Sequence, residues 1–239
     1  MPNYSLLSQG STKINKSNTI QDEYFNRILY LAPDDLADGK RTVCPYAKIA
    51  KCNEACLNSA GMGVFSNVQQ ARVKKTLMFL NETEKFFDLL IKDIDKFVKE
   101  CDKLGKKPAL RLNGTSDIQW ETIEVEDFKN IFEMYPDIQF YDYTKIPTRR
   151  IDNIPNYHLT WSYSQANDKY ASLFEKVPYN KAVVFFDALP NMFKGLKVID
   201  GDKHDMRFLD KTNSVVGLLA KGKAKQDDTG FVIKALQVA

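Results

Sequence analysis

Residues 82–112 read ETEKFFDLLIKDIDKFVKECDKLGKKPALRL, and this stretch decides the class of the fold. Its first part repeats apolar residues every three or four positions, which predicts an amphipathic helix over 82–104. Gly105 followed by Pro108 is a typical helix stop. The apolar run at 109–112 is short and strand-like. A long helix that leads directly into a strand is the repeating unit of α/β proteins.

Short apolar runs occur on both sides of this unit, and several alternate with helical patterns. The clearest is KAVVFF at 181–186, and the others lie at 28–31, 109–112, 138–143, 157–162, 196–199 and 215–219. We expect a mainly parallel sheet in one α/β domain over residues 23–239, forming a partial or complete (βα) barrel. A flat, doubly wound sheet is the alternative. The polar residues 1–22 predict a flexible N-terminal arm.

The composition is that of an ordinary globular protein, with 44% hydrophobic and 27% charged residues among 239. The net charge of +3 leaves nucleic acid open as a partner but does not indicate it. No apolar run reaches the roughly 18–20 residues that span a bilayer, so we expect no membrane association. The N-terminus lacks a signal-peptide pattern, which predicts a cytoplasmic protein. Four cysteines in such a chain favour metal binding over disulfides.

Three of the cysteines lie in the segment CPYAKIAKCNEACLNSAGMG at 44–63, which we call the cysteine loop. Cys44, Cys52 and Cys56 follow the spacing C-x7-C-x3-C. Thiolates are the usual ligands of iron–sulfur clusters and common ligands of zinc. We favour a 4Fe-4S cluster in which each cysteine binds one iron and the fourth iron is left for another ligand.

Zinc and simple burial are the alternatives for these cysteines. A zinc site would take Cys101, His204 or an aspartate as its fourth ligand, but the tight C-x2-C pairs common in zinc sites are absent. Cysteines can also be small buried apolar residues. The polar neighbours in the cysteine loop count against such deep apolar burial.

Polar residues follow the carboxyl ends of the predicted strands, where parallel α/β folds place their sites. We expect Asp117, Asp202 and His204 to act in catalysis, because carboxylates and imidazole transfer protons. Five further residues are candidates for binding a cofactor, namely Asn113, Thr115, Asp142, Lys145 and Ser162. The segment DGDKHD at 200–205 is also a candidate site for a divalent cation. Helix capping and solvent contact are the alternative roles for all of these residues.

The remaining basic residues and His158 are expected to have structural roles, on the surface or in the core. Arg149, Arg150 and the lysines of 221–225 are expected to be solvated surface charges, with phosphate or nucleic-acid contact as the alternative. His158 alternates with apolar neighbours in a predicted strand and is expected to line the core. The sequence motifs of serine hydrolases, P-loop nucleotide hydrolases and zinc proteases are absent, which counts against those classes.

A three-cysteine loop after the first strand of a βα series resembles the organisation of the radical S-adenosylmethionine (SAM) enzymes. The resemblance implies a radical-SAM-like TIM barrel whose cysteines hold a 4Fe-4S cluster, with SAM bound to the fourth iron. The family spacing is C-x3-C-x2-C, which differs from the spacing in this chain. The family's glycine-rich motif after the second strand is also missing, and Asn113-Gly114-Thr115 lies at that position. Both departures count against SAM as a ligand.

The run LYLAPDDLADGKRTVCPYAKIAKCNEACLNSAGMGVFSNVQQARVKKT at 29–76 is similar to a family of bacteriophage-encoded proteins with this cysteine loop. RLNGTSDIQWE, FYDYTK, IDGDKHDMRFLD and VVGLLAKGKA are similar to later blocks of the same family. The resemblance covers residues 28–225. It implies a phage or prophage origin, a cluster-bearing, radical-SAM-like barrel and a place in the host cytoplasm.

These patterns support two hypotheses about function. The first is an iron–sulfur enzyme in redox or radical chemistry, acting on a small molecule or a macromolecule that the sequence does not specify. The second is a non-catalytic protein in which a cluster or zinc holds the cysteine loop in shape. Such a protein would bind nucleic acid or a host protein during infection.

Overall fold

The computed structural model describes residues 5–8, 10, 12–20, 22–56, 58 and 60–234, and a ten-stranded sheet runs through it. The strands are β1 (Leu7–Ser8), β2 (Tyr24–Leu29), β3 (Lys107–Arg111), β4 (Gln139–Thr144), β5 (Tyr157–Ser162), β6 (Lys181–Phe185), β7 (Met192–Phe193), β8 (Leu196–Asp200), β9 (Ser214–Leu219) and β10 (Val232–Ile233). Their order is β1-β2-β3-β4-β5-β6-β9-β8-β7, and β10 pairs with the end of β6. Seven consecutive strands in this order, from β2 to β8, run parallel.

The sheet is open. Its edges are β1 and β7, and no pairing joins these two strands in the described ranges. The mixed α/β class and the mainly parallel sheet are therefore confirmed, but the strands do not close into a barrel. Both edges are antiparallel strands of two residues. Such short edges end a sheet because they offer few backbone groups to a further strand.

Helix α3 (Thr83–Leu104) is the helix expected over 82–104, and it packs on one face of the sheet. It ends at Gly105, whose φ of 63° lies in the left-handed region that favours glycine. The buried stripe of α3 faces apolar side chains of β2 to β5 and forms the main core with them. The stripe comprises Phe86, Phe87, Leu90, Ile94, Phe97 and Cys101. Helix α2 (Ser66–Asn81) precedes α3 and packs against it.

The later crossovers contain little helix. The helices expected over 125–135 and 165–175 are reduced to α4 (Ile131–Met134) and α5 (Asp168–Ala171), of four residues each. Between β4 and β5, Asn156 Nδ2 donates to three main-chain carbonyl oxygens at 3.0–3.2 Å. Carbonyl groups removed from water need partners, so this side chain replaces hydrogen bonds that a helix would have made.

On the side of the sheet opposite α3, helix α1 (Thr12–Ile20) lies against β2. Asn18 Oδ1 of this helix accepts from the main-chain nitrogen of Asn26 in β2 at 2.8 Å. Part of the expected flexible arm is thus a helix docked on the sheet. Residues 1–4, 9, 11 and 21 of that arm lie outside the described residues, as do residues 235–239 at the other end.

The segment 201–210 lies over the same face, beside α1. Ser17 Oγ of α1 accepts from Asp205 N at 2.9 Å, and Asp205 Oδ2 accepts from Arg111 Nη1 of β3 at 2.9 Å. The ring of Phe208 packs edge-on against Tyr24, at the amino end of β2. The segment therefore runs from the carboxyl end of β8 across the sheet towards its amino edge. No helix in the part of the chain described is long and apolar enough to cross a membrane.

Candidate metal centre

The cysteine loop follows β2 and begins at the carboxyl ends of β2 and β3. Val43 O accepts from Asp117 N at 2.8 Å, which fixes the start of the loop beside the segment after β3. Cys44 Sγ accepts from Asp34 N at 3.3 Å and donates to Thr115 O at 3.7 Å. Main-chain groups from both strand ends thus hold the first cysteine.

The middle of the loop is tied to β5. Ser164, two residues after this strand, donates from Oγ to Ala50 O at 2.8 Å. Cys52 follows and packs against a small apolar cluster that contains Phe231, the residue before β10. The second cysteine therefore lies where β5 and β10 both flank β6, at the same edge of the sheet as Cys44.

The third cysteine lies towards α2. Cys56 Sγ accepts from Asn58 N at 3.5 Å. The Asn58 side chain accepts from Nη1 of Arg72, a buried residue of α2. The Arg72 guanidinium lies 4.9 Å from the ring centroid of Tyr30, which follows β2. A positive charge is thus held beside Cys56 by an amide and an aromatic ring.

The three thiols interact electrostatically with one another. Burial raises the pKa of Cys44, Cys52 and Cys56. The charges of Cys52 and Cys56 raise the pKa of Cys44 further, and the charge of Cys56 does the same for Cys52. Lys145 acts in the opposite direction on Cys52, and both Arg72 and Lys145 do so on Cys56. Deprotonating all three thiols therefore requires additional positive charge, which a bound metal centre would supply.

Lys145 is the largely buried cation of this site and follows β4. Its Nζ donates to Ser162 Oγ at 2.8 Å and to Ser162 O at 3.3 Å. The same nitrogen lies 4.6 Å from the ring centroid of Phe231. Burial lowers the pKa of the Lys145 ammonium, and the charges of Cys52 and Asp117 counteract this effect. Three predicted cofactor residues therefore lie at the thiol site. Thr115 contacts Cys44 directly, Lys145 acts on the thiols through its charge, and Ser162 contacts Lys145.

Asp117 also reaches this site, but its carboxylate is engaged elsewhere. Its Oδ2 accepts from Lys145 N at 2.7 Å and its Oδ1 from Arg149 Nη1 at 3.2 Å. Burial raises the pKa of Asp117, and the Arg149 charge opposes that rise. Arg149 also donates to both carboxylate oxygens of Glu121 at 2.7 and 2.6 Å. With 1% of its surface exposed, Arg149 is a buried ion-pair partner, and its expected role as solvated surface charge is wrong.

Asn113 and Asp142 form a buried hydrogen-bond hub at the ends of β3 and β4. Asn113 N donates to Asp142 Oδ1 at 2.7 Å, and Tyr157 Oη donates to Asp142 Oδ2 at 2.9 Å. Asn113 Oδ1 accepts from Trp120 Nε1 at 3.1 Å. Burial raises the pKa of Asp142 to about 7, against the lowering effect of the Arg111 charge. The polar atoms of these two predicted cofactor residues are directed at the protein interior.

The structure places Asp202 and His204 on the 201–210 segment. Asp202 Oδ1 pairs with Lys221 Nζ, and its Oδ2 accepts from Leu219 N at 3.1 Å. His204 Nδ1 lies 3.1 Å from Arg207 Nη2. Burial and the Arg207 charge lower the pKa of His204. These contacts connect the two predicted catalytic residues to the 201–210 segment and β9, whereas Asp117 is connected to the thiol site.

His158, on the α1 side of β5, is expected to make stability depend on pH. Burial and the Arg207 charge lower its pKa to about 4, and Nε2 has no hydrogen-bond partner among the described residues. The unfolded chain, with a histidine pKa of about 6.5, binds the proton first. Stability is therefore full above pH 6.5 and falls as the pH drops towards 4.

His158→Gln is expected to reduce this loss by on the order of 1–3 kcal/mol between pH 7 and 4.5, after allowance for partial exposure. Urea unfolding of the wild type and the variant at pH 7 and 4.5 measures the loss of unfolding free energy in each protein. Carboxylates contribute equally to wild type and variant, so their effect cancels in the comparison. Identical pH profiles would show that His158 is protonated without cost in the folded state.

A metal centre needs several ligand side chains close to one another. Among the described residues, no group of three thiol, imidazole or carboxylate side chains lies close enough to hold a single metal ion. One tetrahedral zinc, with Zn–S bonds of about 2.3 Å, would require sulfurs roughly 4 Å apart. A cluster takes each thiolate on a different iron, so it needs a wider spacing. The groups available to bind such a cluster are the three thiols of the cysteine loop, with main-chain amides at two of them and the charges of Arg72 and Lys145 acting on Cys56.

A family model described as Gene product 88 matches residues 5–235, nearly the whole chain. This match agrees with the resemblance to a phage-type family over the cysteine loop and the later blocks. It provides no link to radical SAM enzymes. No curated protein and no solved structure gives a significant match.

Proposed function

We propose that this chain, which belongs to the Gene product 88 family, binds a 4Fe-4S cluster through Cys44, Cys52 and Cys56 and uses it in redox or radical chemistry. The observation that supports the proposal is that the cysteine loop and Lys145 meet at the carboxyl edge of the sheet: Cys52 packs against the cluster that contains Phe231, and the Lys145 ammonium lies over the ring of Phe231. A bound cluster supplies one-electron transfer, and three-cysteine ligation leaves one iron for a further ligand.

The chain's own groups would orient and stabilise the thiolates. The main-chain N–H groups of Asp34 and Asn58 point at two of the sulfurs and can donate to a thiolate. Asp34 is in turn fixed by Thr42, whose Oγ1 donates to Asp34 Oδ1 at 2.7 Å. Hydrogen bonds to sulfur and the charge of Lys145 both favour the ionised ligands.

Anaerobic purification with iron, sulfide and zinc analysis tests the proposal. We expect a brown protein with about four iron and four sulfide per chain. Stoichiometric zinc without sulfide would contradict a cluster, and so would a colourless protein that takes up neither metal after reconstitution. Reduction by dithionite should bleach the colour reversibly, because the centre accepts one electron.

The radical-SAM-like form of the proposal adds that the fourth iron binds SAM, as the resemblance implies. Gly114 lies where that family places its glycine-rich motif, and a Cβ there would come within 2.6 Å of Leu29 O. This glycine is therefore accounted for by close packing. Incubating the reduced, cluster-loaded protein with SAM tests this form, since cleavage to 5′-deoxyadenosine supports it and full recovery of SAM contradicts it.

A second candidate is a non-catalytic protein whose metal centre only shapes the cysteine loop. It is favoured by three exposed apolar side chains at the end of the loop and just beyond it: Met62, Val64 and Phe65 are 52%, 55% and 53% exposed. Exposed apolar patches mark interaction sites. Binding of nucleic acid or a host protein that is lost on metal removal, in a protein whose centre cannot be reduced, would favour this candidate over the enzyme.

A further inference from the structure

We infer that Lys145 is a positioning residue that raises the reduction potential of the cluster, by holding a positive charge beside the thiolates. The inference rests on the cluster of the proposed function and adds the part of the chain that sets its redox behaviour.

The position of the Lys145 charge is fixed by three contacts on different elements. Ser162 at the end of β5 provides a hydroxyl at 2.8 Å and a carbonyl oxygen at 3.3 Å from Nζ. Phe231, before β10, provides an aromatic face 4.6 Å away. The lysine's own main-chain nitrogen donates to Asp117 Oδ2 at 2.7 Å. A side chain held at both ends cannot swing out to solvent as a surface lysine does.

The ammonium is not neutralised by a carboxylate. Among the described residues, no carboxylate lies within salt-bridge distance of Lys145 Nζ. The nearby Asp117 pairs instead with Arg149, at 3.2 Å. The hydroxyl, the carbonyl and the ring stabilise a cation without cancelling its charge. Cys52 packs against the cluster that contains Phe231, the ring over which the ammonium lies, so the charge of Lys145 acts on this thiol.

A fixed positive charge has a defined effect on one-electron reduction. Reduction adds one negative charge to the centre, and the ammonium stabilises the reduced form more than the oxidised form. The low effective dielectric constant of a largely buried site strengthens this difference. Removing the charge should therefore make the centre harder to reduce.

The test is a dye-mediated reductive titration of the anaerobically prepared full-length protein, with dithionite supplying the electron. In Lys145→Met the equilibrium constant for reduction is expected to fall at least tenfold, which is about 59 mV in potential for one electron. Lys145→Arg keeps the charge and should restore most of the wild-type potential. Lys96→Met, at an exposed position of α3, removes a lysine that is not among the charges acting on the thiols and should leave the potential unchanged.

The outcomes separate this inference from the proposed function. A wild-type protein without a cluster overturns both. A cluster-loaded Lys145→Met with an unchanged potential overturns the role of Lys145 alone. If Lys145→Met folds but binds no cluster, the Lys145→Arg variant decides between the outcomes. A cluster with the wild-type potential in Lys145→Arg supports the role of the positive charge. A folded Lys145→Arg protein that binds no cluster overturns that role.

Discussion

Replacing Arg149 by methionine is expected to lower the free energy of unfolding by about 3–5 kcal/mol, the typical cost of removing one partner from a buried ion pair. Arg149 is 1% exposed and neutralises two buried carboxylates, Asp117 and Glu121. Its Nη2 also donates to Tyr157 Oη at 2.9 Å. Methionine preserves much of the volume, so the loss is mainly that of charge and hydrogen bonds.

Chemical denaturation of wild type and variant at pH 7 measures this loss. The matched control is the neighbouring Arg150, which is exposed and donates to the main-chain oxygens of Pro147 and Arg149. Arg150→Met is expected to change stability by less than about 1 kcal/mol, as surface substitutions usually do. Equal effects of the two substitutions would show that the carboxylates around Arg149 are solvated or protonated in the folded protein.

Arg149 also shows what could not be predicted from the sequence. The pair Arg149-Arg150 follows a predicted strand in a polar segment, which is the usual setting of two solvated charges. Its partner Glu121 lies 28 positions away, in a single 3-10 turn (Trp120–Thr122) of the crossover between β3 and β4. A contact between a three-residue turn and a loop leaves no periodic signal in either segment. Only the folded chain shows that one arginine is buried and that its neighbour is not.

Helix α3 was predictable because its apolar residues recur with a helical period, and seven strands were predictable from their short apolar runs. The two-residue edge strands β1 and β7 carry no such run and were not predicted. The buried stripe of α3 recurs every three or four residues, and β5 was expected at its observed bounds of 157–162. The structure of the crossovers could not be predicted in this way. Side chains such as Asn130, which caps a helix, and Asn156, which bonds to main-chain carbonyls, replace helical hydrogen bonds there. A barrel closes only if the two edge strands of the sheet pair with each other. The sequence of an edge strand does not show whether it pairs with the other edge.

The position of the cysteine loop followed from a general rule, since parallel sheets collect their sites at the carboxyl ends of the strands. That rule brought Thr115, Asp117 and Lys145 to the thiols. The same rule placed His204 near the thiols, and this was wrong. The segment after β8 turns across the sheet, where Arg111 and α1 hold it. Arg72 was missed, since one arginine in an amphipathic helix gives no sign that it points at a distant loop.

Cys52→Ser is expected to reduce cluster content at least tenfold relative to wild type, since a hydroxyl is a far poorer ligand for iron than a thiolate. Cys101→Ser makes the same atomic change at a matched control position. Cys101 is buried in the stripe of α3, at the helix end that leads to the amino edge of β3. The three loop cysteines lie at the opposite edge. Iron and sulfide analysis of both variants should therefore show loss in the first and retention in the second.

The stability of the two variants separates ligand loss from misfolding. Cys101→Ser places a hydroxyl in the apolar core and is expected to cost about 1–3 kcal/mol, while it keeps its cluster. Cys52→Ser changes a partly buried position beside Phe231 and should cost less in the metal-free protein, while it loses the cluster. Metal loss in Cys101→Ser would instead indicate a zinc site with Cys101 as its fourth ligand. That result would require this cysteine to leave the core under α3, because it lies at the amino end of the strands and the loop lies at their carboxyl end.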